Sequence, residues 1–169
     1  MKDVLYRCTF SVINKLPVLK DFPKEKVAES PSVSFQVEGT DFVLEYREDI
    51  ISWVLDALST EARQCNYIDF ILCDDAYLLN INKEYLQHNY YTDIITFPLN
   101  EDPIESNVFI SIDRVRENAH IYKVDFENEL HRVIIHGILH LIGYDDKSED
   151  DKTKMRAKED EYLSKRSFT

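Results

Sequence analysis

The sequence predicts an α+β fold, a small mixed sheet of about four strands with helices packed on it and one buried helix beside a cleft. Short segments of alternating or continuous apolar residues mark the strands, and longer segments with one apolar stripe mark the helices. One helical segment, residues 133–142, is apolar almost all round apart from its histidines, as a central helix is. With 169 residues and 44% hydrophobic content, one domain is expected.

Residues 1–31 hold three of the five prolines and no sustained periodicity, so they are expected to be an appended or partly disordered extension ahead of a domain at 32–169. Ser32–Glu38 alternates as a strand does, with Val33, Phe35 and Val37 on one face. A helix is expected at 47–63, its apolar face built from Ile50, Ile51, Val54, Leu55 and Leu58 with Trp53 beside it. Residues 67–73, rich in aromatic and β-branched side chains, predict a second strand. Asp74 or Asp75 then caps a short helix carrying Leu78, Leu79, Ile81 and Tyr85.

Segments 93–99 and 107–112 predict two strands paired as a hairpin through a polar loop with Pro103, both apolar enough to sit centrally or against the helices. Further helices are expected at 113–122, 126–142 and 152–164, the last with Met155 and Tyr162 at multiples of one turn. No internal repeat or low-complexity tract is present.

The stretch HGILHLIGYDD, residues 136–146, carries the chemistry. His136 and His140 are four apart on a helix, so their Cβ atoms lie about 5–6 Å apart on one face and both imidazoles can reach one cation. Gly143 suits the left-handed position that ends a helix, which returns Tyr144, Asp145 and Asp146 toward the histidines. The third ligand is expected there. Two histidines and a carboxylate leave a tetrahedral position open for water, the arrangement of a catalytic zinc, where the pKa of water falls to about 7. Histidines on an apolar helix also occur as hydrogen-bonded core residues; the glycine and acidic pair that follow favour the metal.

Gly137 stands where H-E-x-x-H proteases carry their general base, so peptide hydrolysis by that route lacks a proton acceptor. Glu129 and Arg132 lie seven and four residues before His136 on the same stripe. They are candidates for a carboxylate that orients a ligand and for a phosphate clamp, or else for a surface ion pair.

These residues carry a family resemblance. HGILHLIGYDD resembles the signature H-G-x-L-H-L-x-G-Y-D-H of the YbeY family of metal-dependent endoribonucleases and fits ten of its eleven positions. LNINKEYLQHNYYTDIITFP, residues 79–98, is similar to the family segment in which an Asn and an aromatic precede T-D-V-L-S-F-P. NVFISI, residues 107–112, stands where the family has a G-D-I-x-I-S strand, and the resemblance covers about residues 32–165. It implies a zincin-like architecture and one zinc ion per chain, held by His136, His140 and Asp146. The implied activity is single-strand-specific RNA cleavage in ribosomal RNA processing and ribosome maturation, with ribosomal RNA, the ribosomal subunit and assembly proteins as partners.

The chain departs from the family at three places. The third signature histidine falls on Asp146, with Asp145 competing by adjacency. A carboxylate binds zinc at about 2.0–2.2 Å, but it raises the pKa of bound water relative to a three-histidine site and admits manganese or iron more readily. Leu86 replaces an arginine, removing a phosphate contact that Lys83 or Arg132 would have to supply. Ser106-Asn107 replaces the Gly-Asp pair, which leaves that acid without a counterpart.

For phosphodiester cleavage, activated water attacks phosphorus, or the metal polarises a phosphoryl oxygen while the 2′-OH of the RNA attacks; the sequence is compatible with both. Asp93 is the upstream polar residue expected in the cleft, or else a cap where a strand begins, and with Glu129 it is a candidate catalytic carboxylate. Thr96 shares a face with Thr92 by alternation, and this hydroxyl pair is expected, with Arg132, to line an RNA groove. Tyr90 and Tyr91 are expected in core packing, with base stacking as the other reading. His88, His120 and His131 have no partner at ligand spacing and are expected at the surface or in packing.

The net charge of −12 opposes a nucleic-acid partner, because Lys and Arg supply most non-specific affinity, unless a local basic cleft exists. Much of the acid lies in DDKSEDD at 145–151 and KEDE at 158–161, expected as solvated helix faces or loops. There is no apolar run of about 18 residues and no signal-peptide pattern, and three cysteines without a C-x-x-C pair predict reduced thiols. A cytoplasmic protein with no membrane partner is therefore expected. A non-catalytic ribosome-assembly factor with a structural metal, or a metallohydrolase of a smaller substrate, is the alternative reading.

Overall fold

The computed structural model describes residues 31–168. Apart from Pro31, the expected N-terminal extension lies outside them. In chain order the described elements are β1 (Ser32–Glu38), α1 (Arg47–Thr60), β2 (Cys65–Cys73), α2 (Asp75–Leu86), β3 (Ile94–Glu101), β4 (Ile104–Ser111), α3 (Ile112–Tyr122), α4 (Phe126–Leu141) and α5 (Glu149–Ser164). The strands form one mixed sheet in the order β1-β2-β4-β3. β1 and β4 run parallel to β2, and β3 runs antiparallel to β4. Parallel neighbours need a crossover, which α1 provides between β1 and β2.

The expected hairpin is β3–β4, turned at a cis Asp102–Pro103 peptide. Of its two strands only β4 is central; β3 is an edge strand against the helical layer. Pro98 accounts for this, since a residue without an N–H is confined to sheet edges, and the register shifts just after it, between Pro98 and Asn100. Helix α5 starts three residues earlier than periodicity predicts. Ser148 accepts the Asp151 N–H while the Asp151 carboxylate accepts the Ser148 N–H, a capping box inside the acidic run. Asp74, not Asp75, caps α2, accepting the Tyr77 N–H at 2.7 Å.

Helices cover both faces of the sheet. Phe70, Leu72, Val108 and Ile110 pack with Val54 and Leu58 of α1 and with Ile134 and Ile138 of α4. On the other face Ile71, Phe97 and Phe109 meet Leu78, Ile81 and Tyr85 of α2. Trp53 is buried within the first core instead of lying beside it, and its indole N–H donates to the Tyr162 carbonyl at 2.9 Å, tying α1 to α5. As expected, α4 is the central helix, buried along most of its length.

Candidate metal centre

Helix α4 lies so close to the sheet that a Cβ on Gly137 would sit 2.8 Å from Cδ1 of Ile94 in β3. Only glycine fits that contact undisturbed, and it sets His136 beside the sheet edge. At the other end Gly143 has φ +109°. The Gly143 N–H donates to the His140 carbonyl at 3.1 Å and the Tyr144 N–H to the Leu139 carbonyl at 3.0 Å, the paired bonds of a Schellman motif. This turn brings the acidic pair back along α4.

Nε2 of His136 and Nε2 of His140 then lie 3.0 Å apart. Asp146 is 7% exposed and its Oδ2 is 3.8 Å from Nε2 of His140. The donor atoms of His136, His140 and Asp146 all fall within 4.8 Å of one another. Asp145 is excluded from this group, because its carboxylate faces outward to Lys147 at 3.0 Å. Two nitrogens each about 2.0–2.1 Å from a tetrahedral ion stand roughly 3.3 Å apart, and the observed spacings bracket that value. The donor set of two imidazoles and a carboxylate fits a divalent transition-metal ion.

Of the three, His136 and Asp146 line a cleft of about 300 Å³ shared with Thr92, Asp93, Glu129 and Arg132, and His140 lies behind them. Residues 34–167 match the family model described as Endoribonuclease YbeY.

The chain belongs to the YbeY family.

Endoribonuclease YbeY of Cytophaga hutchinsonii is 45% identical over 139 residues, which cover 81% of this chain and 97% of that protein. Its counterpart in Flavobacterium psychrophilum is 48% identical over 132 residues, covering 78% and 94%. The fold is similar to the solution structure of TM1509 from Thermotoga maritima, with TM-score 0.59, 27% identity and coverage of 77% of this chain and 87% of that one.

Behind the YbeY signature lies a carboxylate that sequence reasoning missed. Glu159 of α5 is 5% exposed, and its Oε1 is 2.8 Å from Nδ1 of His136. Its Oε2 accepts from Arg132 at 2.9 Å and from Arg156 at 3.2 Å. Burial pushes the Glu159 carboxyl up, but its bonds to His136 and the two arginines prevail and hold it down at about 2. Burial pulls the His136 imidazole down; the bond to Glu159 and the charges of Glu159, Asp93 and Asp146 prevail and raise it. The acidic run at 158–161 is therefore not uniformly solvated. A signal was present, since Glu159 follows Met155 by four residues and precedes Tyr162 by three, on the buried stripe of α5.

The remaining candidates divide. Arg132 lines the cleft, yet it is bound to Glu159 and, at 2.8 Å, to Asp160, so it braces the site instead of standing open as a phosphate clamp. The carboxylate on His136 is Glu159 and not Glu129. Glu129 is buried at the cleft wall, where burial raises its carboxyl despite the opposing charge of Arg132. Asp93 accepts from Asn118 at 3.1 Å. Thr92 lines the cleft but Thr96, 1% exposed, does not. The strand begins at Ile94, so alternation does not extend back to Thr92.

Lys83 is exposed on α2 away from the cleft wall, and Leu86 packs against the second core. Ser106 and Asn107, in place of the family's Gly-Asp, are buried in β4. Tyr90 and Tyr91 are 41% and 55% exposed and are not core residues; the Arg114 guanidinium lies 5.3 Å from the Tyr91 ring. Tyr122, also exposed, reaches the cleft, as do Lys152 and Arg156 of α5. His88 stacks on Tyr90, His120 is exposed, and His131 packs against Trp53 and Phe168. Among the described residues no helix is long and apolar enough to cross a membrane.

Proposed function

We propose that this chain is a metal-dependent endoribonuclease that cuts single-stranded RNA in ribosomal RNA processing, with one zinc ion held by His136, His140 and Asp146. The observation that carries the reading is the convergence of those three donor atoms, two of them from residues that line a cleft, in a chain 45% identical to an endoribonuclease YbeY. When bound, the ion supplies Lewis-acid chemistry, activating water or polarising a phosphoryl oxygen. Zinc suits the mixed nitrogen and oxygen donors, and the carboxylate also admits manganese or iron.

The chain's own groups supply the rest. Glu129, raised by burial at the cleft wall, takes a proton from the attacking hydroxyl, and Asp93, held by Asn118, borders the same space. Lys152 and Arg156 reach the cleft, paired with Glu149 and Glu159, among the acids Asp93, Glu129 and Asp146, so the cation at the three donors is the main positive charge offered to phosphate there. Tyr122 offers a ring at the rim on which an unstacked base can lie. Thr92 adds a hydroxyl beside Asp93. The action belongs to the cytoplasm, in contact with the ribosomal subunit and its assembly proteins.

The assembly-factor and small-substrate readings gain nothing from relatives that carry the name of an endoribonuclease. The test is cleavage of a labelled single-stranded RNA by the wild-type chain and by His140→Ala, with and without added zinc. Activity confined to the wild type and restored by metal is expected. Equal cleavage by both proteins would overturn the reading, and cleavage by neither would return weight to an assembly factor.

A further inference from the structure

We infer that Glu159 is the positioning residue of the metal centre: it accepts the Nδ1 proton of His136 and so directs the Nε2 lone pair of that imidazole toward His140 and Asp146. The inference rests on the metal reading above and adds to it a residue outside the signature, on another helix.

A neutral imidazole carries one proton, and whichever nitrogen keeps it cannot bind a cation. An ionised carboxylate is acceptor-only, so at 2.8 Å from Nδ1 it holds the proton there and leaves Nε2 as the donor atom. Nε2 is the atom found 3.0 Å from Nε2 of His140. The carboxylate is fixed in turn: Arg132 and Arg156 occupy its other oxygen at 2.9 and 3.2 Å, and Arg132 is braced by Asp160. Burial keeps water from substituting for the contact. Histidine ligands that donate their second N–H to a carboxylate are fixed in tautomer and ring orientation, and loss of the carboxylate typically weakens metal binding about 10–100-fold. Here the carboxylate comes from α5 and the histidine from α4, so the docking of two helices sets one ligand's orientation.

A structural ion pair with Arg132 is the competing role for Glu159, and two readouts separate it from positioning. The first is zinc affinity, by competition with a chromophoric chelator, of the wild type, Glu159→Gln and Glu159→Asp. The aspartate keeps the charge for the arginines but withdraws the oxygen from His136 by one methylene. Both variants are expected to bind zinc about 10–100-fold more weakly, and the zinc-free Glu159→Asp, which keeps the charge for the arginines, is expected to melt close to the wild type. Zinc binding within about twofold of the wild type in both variants would overturn the inference.

The second readout is the imidazole nitrogen NMR spectrum of the zinc-free protein at alkaline pH, where a Nδ1–H tautomer of His136 is expected in the wild type and a mixture in Glu159→Gln. A Nε2–H tautomer in the wild type would overturn the inference whatever the metal does. Should the wild type bind no zinc yet hold the Nδ1–H tautomer through Glu159, the metal reading falls and the positioning role stands.

Discussion

Oδ2 of Asp146 lies 3.8 Å from Nε2 of His140, while the carboxylate one residue earlier, Asp145, turns outward to Lys147. The turn at Gly143 delivers the second acid, not the first, to the histidines. Asp146→Ala is expected to lose bound metal and RNA cleavage. Asp145→Ala removes an exposed ion pair with Lys147, which contributes no more than about 1 kcal/mol, and a local hydrogen bond from the Asp146 N–H, and should keep both. Metal content after dialysis, measured beside cleavage rate, checks this; loss of metal in Asp145→Ala alone would reverse the assignment.

Removing either imidazole leaves a cation with two protein donors. His136→Ala and His140→Ala are each expected to reduce single-stranded RNA cleavage by roughly a hundredfold or more, equivalent to about 2.7 kcal/mol of transition-state stabilisation, with the far-ultraviolet circular dichroism unchanged. Cleavage by freshly purified protein of either variant at the wild-type rate would contradict a metal role for these side chains.

Chelation should lower the melting temperature. A ligand present at about 1,000 times its dissociation constant stabilises the folded state by about 4 kcal/mol, provided the unfolded chain does not bind it. A calorimetric scan with and without chelator is expected to show a drop of several degrees that zinc restores. His140→Ala should melt at the same temperature in both conditions.

His131 gives the fold an acid limit separate from the metal. Burial, with the Arg166 guanidinium beside it, pushes the imidazole down to about 4. Below its ordinary value near 6.5 the unfolded chain takes up a proton that the folded chain refuses, so stability falls as pH drops from about 6.5 to about 4, by on the order of 3 kcal/mol. Urea midpoints of the zinc-free protein should decline across that window, and His131→Gln should flatten the decline.

The local parts of this site were legible and the tertiary parts were not. The i, i+4 histidines and the glycine after them state their geometry in the chain itself, because helix pitch and a left-handed turn are properties of a few consecutive residues. Glu159 reaches His136 across 23 residues and appears in the sequence as one acid within a charged run. Only its place between Met155 and Tyr162 on one helical stripe hinted at burial. Likewise alternation linked Thr92 to Thr96, but the strand that would carry the alternation starts after Thr92. The strand segments were readable from their composition, whereas the order β1-β2-β4-β3 depends on parallel pairings between distant segments, about which local patterns carry no information. Tyr90 and Tyr91 lie outside the core because they sit in the connection between α2 and β3, where no strand or helix turns them inward.

The contact between Gly137 and Ile94 also bears on which chemistries this scaffold can acquire. A zinc peptidase built on a comparable helix needs a glutamate immediately after its first histidine. Here that position faces a β-branched side chain of the sheet, with 2.8 Å available to a first carbon atom. An acid at 137 would press on the far end of the Ile94 side chain, which would have to turn aside to admit it. The close approach thus couples the residue after the first histidine to the side chain at 94, and an acid acquired at 137 is best accommodated where that side chain is shorter.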